Sequence, residues 1–174
     1  MKTIIKGNLR FEVNSYYDEA DNPRNDCNLG RMFFLHQKYI IGDKHNYSGN
    51  DFSSWEEVKE FIEEDDVVVI LPVYMYEHSA ITISTESFHC RWDSGQIGYI
   101  YATKEDVLNE FKEITEEVIN KVISILKEEV NIYDKYLNGE VYQIEVFENE
   151  EEVDYVTIYG YSEKEEFINQ FNNQ

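Results

Sequence analysis

Residues 67–102, VVVILPVYMYEHSAITISTESFHCRWDSGQIGYIYA, constrain the fold more than any other stretch of the chain. They open on its longest apolar run. They also hold half of the histidines and one of the two cysteines. Val67–Tyr76 is β-branched and aromatic, the pattern of a strand buried on both faces. Pro72 has no N–H to give to a ladder, so a bulge or an edge position is expected there. In Ser79–Ser84, Ile81 and Ile83 alternate with Thr82 and Ser84, as in a half-buried strand. Ile97–Ala102 reads as a third strand, and the three are expected to form an antiparallel meander. The polar stretch Trp92-Asp93-Ser94-Gly95-Gln96 reads as a turn, with Asp93 bonding its own backbone and Gly95 at positive φ.

The flanking segments supply the other layers. Thr3–Ile5 and Leu9–Tyr17 are strand-like, and Asp18–Asn28 is a polar loop. Another strand lies within Leu29–Tyr39, and Gly42–Asn46 turns the chain. Ser54 and Glu57 form a capping box for a helix with Trp55, Val58, Phe61 and Ile62 on one face. The carboxylates of Glu63–Asp66 oppose a helix C-terminal dipole, so they are expected in solvated loop. Thr103 caps a helix from Lys104, with Asp106 in the reciprocal position, and Thr115 caps the next. Val118, Ile119, Val122, Ile125, Leu126, Val130, Tyr133 and Leu137 then recur at spacings of three and four. That period predicts one amphipathic helix over about 116–137, stopped by Asn138-Gly139. Val141–Phe147 and Val153–Tyr159 form a hairpin about an acidic turn. Ser162 and Glu165 read as a second capping box, and the final helix turns Phe167, Ile168 and Phe171 inward. Strand runs are segregated from helices, so the expected class is α+β with a mostly antiparallel sheet. At 174 residues the chain is expected to be a single acidic α+β domain (1–174) with a sizeable core.

Charge bounds the partners. The chain carries 15 basic and 36 acidic residues, net −21. It would repel nucleic acid and anionic membrane and attract basic partners or cations. From Thr103 onward it holds 19 of the 36 acids but only 6 of the 15 bases. Glu105, Asp106, Glu110, Glu113, Glu116, Glu117, Glu150, Glu151 and Glu152 are the candidate partner-binding face. Duplex DNA presents about one charge per 1.7 Å of axis, and a rigid row of carboxylates can occupy a groove built for it. The plainer reading is that acidity keeps a small protein in solution. Met1–Arg10 has no long apolar core, and no run approaches the roughly 20 apolar residues of a bilayer span. The expected location is the cytoplasm, with Cys27 and Cys90 as free thiols.

The candidates for a ligand or metal site are Asp43, His45, His78, Asp93 and Gln96, with His36, Glu77, His89 and Cys90 nearby in sequence. Imidazole and carboxylate suit zinc, but the spacing matches no zinc motif. The competing reading makes these histidines hydrogen-bonded core or turn residues. His89 beside Cys90 on a strand would point to the opposite face, so it is poorly placed as a base. The chain contains no nucleophile elbow and no phosphate loop. No catalytic residue is assigned, and no cofactor is expected.

Several pieces carry a resemblance. They are Asn28-Leu29-Gly30, Gly42-Asp43-Lys44-His45, Leu71–Ser79, Trp92–Tyr101 and Tyr133–Tyr142, and the motif Trp92-Asp93-Ser94-Gly95-Gln96-Ile97-Gly98 is the most specific. In these the chain resembles an uncharacterised protein family of phages and conjugative elements of Gram-positive bacteria. The resemblance covers about residues 20–160, and it implies a setting inside a bacterial host cell rather than a reaction. The leading expectation is a non-enzymatic accessory protein that binds a basic host protein, such as a nucleic-acid-binding nuclease or defence protein, as a DNA mimic. The alternative is a small enzyme or ligand-binding domain with its site at the Trp92–Gln96 turn, near Asp43, His45 and His78.

Overall fold

The computed structural model describes residues 2–15, 21–90 and 92–172, with side chains as far as residue 170. Tyr16, Tyr17 and the Phe171 side chain, included in the expectations above, lie outside the described residues. The strands are β1 (Lys2–Lys6), β2 (Leu9–Ser15), β3 (Arg31–Phe34), β4 (Val67–Glu77), β5 (Ile81–Ser84), β6 (Ser94–Thr103), β7 (Val141–Glu148) and β8 (Glu151–Tyr159). The helices are α1 (Trp55–Glu63), α2 (Lys104–Phe111), α3 (Glu116–Leu137) and α4 (Tyr161–Asn172). The class is α+β, and among the described residues every strand pairing is antiparallel. Among the described residues no helix is long and apolar enough to cross a membrane. The chain divides into two compact units, one of Met1–Asn25 with Lys135–Gln174 and one of Asp26–Asp134.

The first unit is a four-stranded sheet in the order β1-β2-β7-β8. Alternation along its strands turns Ile4, Phe11, Val13 and Ile144 to one face, where Ile168 of α4 joins them. Phe167 meets Phe11 edge-on, with ring centroids 6.2 Å apart. β7 and β8 are joined through Asn149 (φ 51°) and Glu150 (φ 69°). Two successive left-handed residues match the right-handed twist of a hairpin. The capping box expected at Ser162 does not form. α4 begins at Tyr161, so Ser162 is already helical, and Gly160 (φ 104°) precedes the first turn. Its carbonyl accepts from Lys164 N–H.

The second unit holds the sheet β3-β6-β4-β5. It is not the expected meander, because β4 lies between β5 and β6 and pairs with both. The connection from Thr85 to Asp93 is long enough to carry the chain past β4. Pro72 is tolerated because β5 pairs only with Tyr74–Glu77, leaving the far edge of β4 open at Pro72. A register shift follows between Val73 and Tyr74. From Ile97 to Thr103 every residue of β6 is buried. One face meets α1, where Tyr99 and Tyr101 join Phe33, Val58 and Ile62. On the other face Ile100 approaches Leu126 of α3. Gly30 lies beside both, and a Cβ there would overlap Leu126 and stand 2.9 Å from Ile100 Cδ1. Val118, Val122, Leu126, Val130 and Tyr133 form the buried stripe of α3.

The helix boundaries follow local chemistry. Ser54 Oγ accepts from Glu57 N–H (3.2 Å), while the Glu57 carboxylate reaches one residue further back, to Ser53 N–H (2.6 Å). Thr103 and Asp106 make the reciprocal box in full. Thr115 Oγ1 accepts from Val118 N–H at 3.3 Å. Glu63, expected in loop, is instead the last residue of α1, where Lys59 one turn earlier pairs with it at 3.4 Å. Only Glu64, Asp65 and Asp66 (φ 56°) lie beyond the helix, where the dipole argument puts them.

Candidate functional site

Ser94, Gly95 and Gln96 are not turn residues. They are the first rungs of β6, paired with Tyr76, Met75 and Tyr74 of β4. Gly95 is not among the residues with positive φ. The chain reverses instead around Trp92 and Asp93, where Asp93 C=O accepts from Glu77 N–H at 2.8 Å. The end of β4, the start of β6 and the segment after β3 enclose an open groove of about 390 Å³. Its walls include His36, Glu77, Trp92, Asp93, Ser94 and Gln96. Trp92 is 96% exposed at its rim.

Asp93 is the hub of this end. Its Oδ2 stands 3.7 Å from His78 Nδ1 and 3.6 Å from Cys90 Sγ. The order is histidine–carboxylate–thiol, so the Cys90 thiol donates to the Asp93 carboxylate, and the imidazole faces that acid and not the sulfur. The His78 ring lies nearly parallel to that of Tyr76 (17°, 6.2 Å). Gln96 Nε2 donates to Gly98 C=O at 3.2 Å. His78, Asp93 and Gln96 are therefore gathered at one end of the sheet.

Asp43 and His45 are used elsewhere. Asp43 brackets Met32 of β3. Its carboxylate accepts from Met32 N–H (2.8 Å), and its N–H donates to Met32 C=O (2.9 Å). His45 stacks on Phe33 at 4.2 Å. Its Nδ1 accepts from Tyr47 N–H (3.2 Å), so Nε2 carries the hydrogen that meets Phe34 C=O (2.9 Å). Both ring nitrogens are occupied by backbone. The expected convergence of His45 with His78, Asp93 and Gln96 does not occur. Among the described residues no group of three or more His, Cys, Asp or Glu side chains is placed to hold a metal ion.

A second network was not legible in the sequence. Glu77, at the end of β4, takes an ion pair from Lys38 and a hydrogen bond from the Tyr39 hydroxyl (2.6 Å). His36 Nδ1 accepts from the N–H groups of Lys38 (3.3 Å) and Tyr39 (3.2 Å), folding this segment onto the groove wall. The Lys38 ammonium and Tyr39 hydroxyl hold the Glu77 carboxyl below its ordinary value, and the same pairing raises Lys38. Glu77 and Lys38 are far apart in sequence with no shared motif, so only the histidine and the carboxylate stood out beforehand.

The acidic candidates fall on both units. Glu150 pairs with Arg10 at 3.2 Å in the first, and Glu151 and Glu152 start β8. In the second unit, Asp106 is absorbed by Thr103 and by Arg31 (3.1 Å), and Glu117 by Lys121 (2.8 Å). Glu105, Glu110, Glu113 and Glu116 are exposed. They form no ion pair among the described residues. No family model, curated protein or solved structure matches the chain.

Proposed function

We propose that this is a non-enzymatic binding protein of a phage or conjugative element that engages a basic host protein through its carboxylates, in the manner of a DNA mimic. The observation that supports this most is the set of unneutralised acids where α2 ends and α3 begins. Glu116 sits in the first turn of α3, where a carboxylate favours the helix. Glu110 has no such role. It stands in the last turn of α2, where a negative charge opposes the dipole by about 0.3–1 kcal/mol. A carboxylate that opposes its own helix dipole and forms no ion pair among the described residues supports a partner outside the chain.

The test is a pull-down from the bacterial host, read by mass spectrometry, followed by binding of the captured protein. Duplex DNA should compete, and affinity should fall steeply with salt, because exposed charges are screened over a Debye length of about 8 Å near physiological ionic strength. Glu110, Glu113 and Glu116 changed together to Gln should slow association while leaving thermal stability nearly unchanged. Unchanged association in a folded triple variant removes this surface from the proposal.

A second reading rests on the groove. Trp92 is almost wholly exposed beside a polar recess, an arrangement suited to stacking on a ligand or partner. Trp92→Ala should abolish binding by a groove ligand and leave the fold intact. The residues do not define a reaction.

A further inference from the structure

The last strand of the first sheet has an open edge. Among the described residues β8 pairs with β7 alone. Gly160 N–H donates to Glu140 C=O at 2.8 Å, and the register continues as Ile158 opposite Tyr142 and Val156 opposite Ile144. Antiparallel alternation then turns the amide groups of Ile158, Val156 and Asp154 toward β7, and those of Tyr155 and Thr157 outward. Tyr155 agrees with this assignment, since its N–H donates at 2.8 Å to Asp154 Oδ1. The same edge carries exposed apolar side chains, Val153 (54%), Tyr155 (58%) and Val156 (40%). Natural edges are blunted by lysine, proline or bulges. EEVDYVTIY contains neither lysine nor proline, and its one register shift falls at Val153, which leaves Asp154–Tyr159 in regular pairing with β7. Its charges are all acidic: Glu151, Glu152 and Asp154.

We propose that the free edge of β8 receives an extended basic segment of a partner protein as an added antiparallel strand. The backbone groups of Tyr155 and Thr157 supply the ladder, and Val153, Tyr155 and Val156 supply apolar contacts to alternate side chains. Asp154 makes the edge selective. Its carboxylate covers the Tyr155 N–H, and a lysine or arginine on the incoming strand draws it into an ion pair and uncovers that donor. A second copy of this chain is disfavoured as the occupant, because it brings the same acidic edge and the same net charge of −21. The inference rests on the reading that the partner is basic, and adds the surface and conformation by which it binds.

The probe is a short synthetic peptide alternating lysine and valine, with a glutamate–valine peptide and an N-methylated lysine–valine peptide as controls. Amide hydrogen exchange and chemical shifts of the labelled protein report the site. The expected result is binding of the lysine–valine peptide alone, with slowed exchange at Tyr155 and Thr157. Thr157→Pro removes one outward N–H and should weaken binding about tenfold, the scale of one hydrogen bond. The N-methylated peptide makes the same test on the unaltered protein, so a folding defect in the proline variant leaves the inference falsifiable. Binding that leaves these amides exchanging freely and tracks Glu110, Glu113 and Glu116 instead overturns the edge and leaves the acidic-surface reading standing. Concentration-dependent dimerisation lost in Thr157→Pro overturns the choice of occupant. No binding by any peptide overturns the edge inference, while the host pull-down still tests the broader reading.

Discussion

Single residues set the tightest limits. Leu126 is fully buried against Ile100 and Gly30, and Leu126→Ala should cost about 2–5 kcal/mol in a denaturant titration. Gly98 is the stricter position. A Cβ there would overlap the Phe33 carbonyl and lie 2.8 Å from Phe34 Cα, and backbone cannot move aside as a side-chain tip can. Gly98→Ala should therefore destabilise by about 1–3 kcal/mol or more, and circular dichroism melts should show it. Asp106 gives a pH signature. Burial pushes its carboxyl up, but the Thr103 hydroxyl and the Arg31 guanidinium outweigh that and hold it below its ordinary value. Its contribution is present above the unfolded value near pH 3.9 and fades as pH falls through the lower folded value. An acid titration followed by NMR should show the start of α2 loosening in that range, and Asp106→Asn should remove the transition.

At the scale of elements, the α2 cap should be worth about 0.5–2 kcal/mol, read as the loss in Thr103→Ala. Glu77→Gln should release the segment folded by His36, so that amide exchange at Lys38 and Tyr39 quickens while β4 stays protected. How much of this was legible depended on the range of the interactions. α3 was readable because one period persists through all 22 residues, and each successive turn tests the last. The box at Thr103 was readable because its partners are three residues apart. The sheet order was not, because local sequence does not choose whether β6 pairs with β5 or crosses to β4. Asp93-Ser94-Gly95 has turn chemistry, yet pairing with Tyr76 and Met75 overrides it at Ser94 and Gly95. The gathering of His78, Asp93 and Gln96 followed from the pairing of β4 with β6, whereas His45 was diverted by backbone groups that composition does not reveal.

At the scale of the whole molecule, charge acts against compactness. With a net charge of −21, self-repulsion should be relieved by added salt, so the melting temperature should rise between low and physiological ionic strength. A fall would mean that attractive pairs such as Arg31–Asp106 dominate instead. The pairing of Leu9 with Glu148 has a consequence in time. During synthesis β1 and β2 leave the ribosome before β7, which pairs with β2 only after residues 26–134 have all been made. The intervening unit has its own sheet and core, while the early hairpin waits with its β2 edge unsatisfied. Closing so long a loop is slow. The newborn chain is thus most exposed to misassembly at the β1–β2 hairpin, and a chaperone that shelters it would be expected to hold that hairpin and let go last.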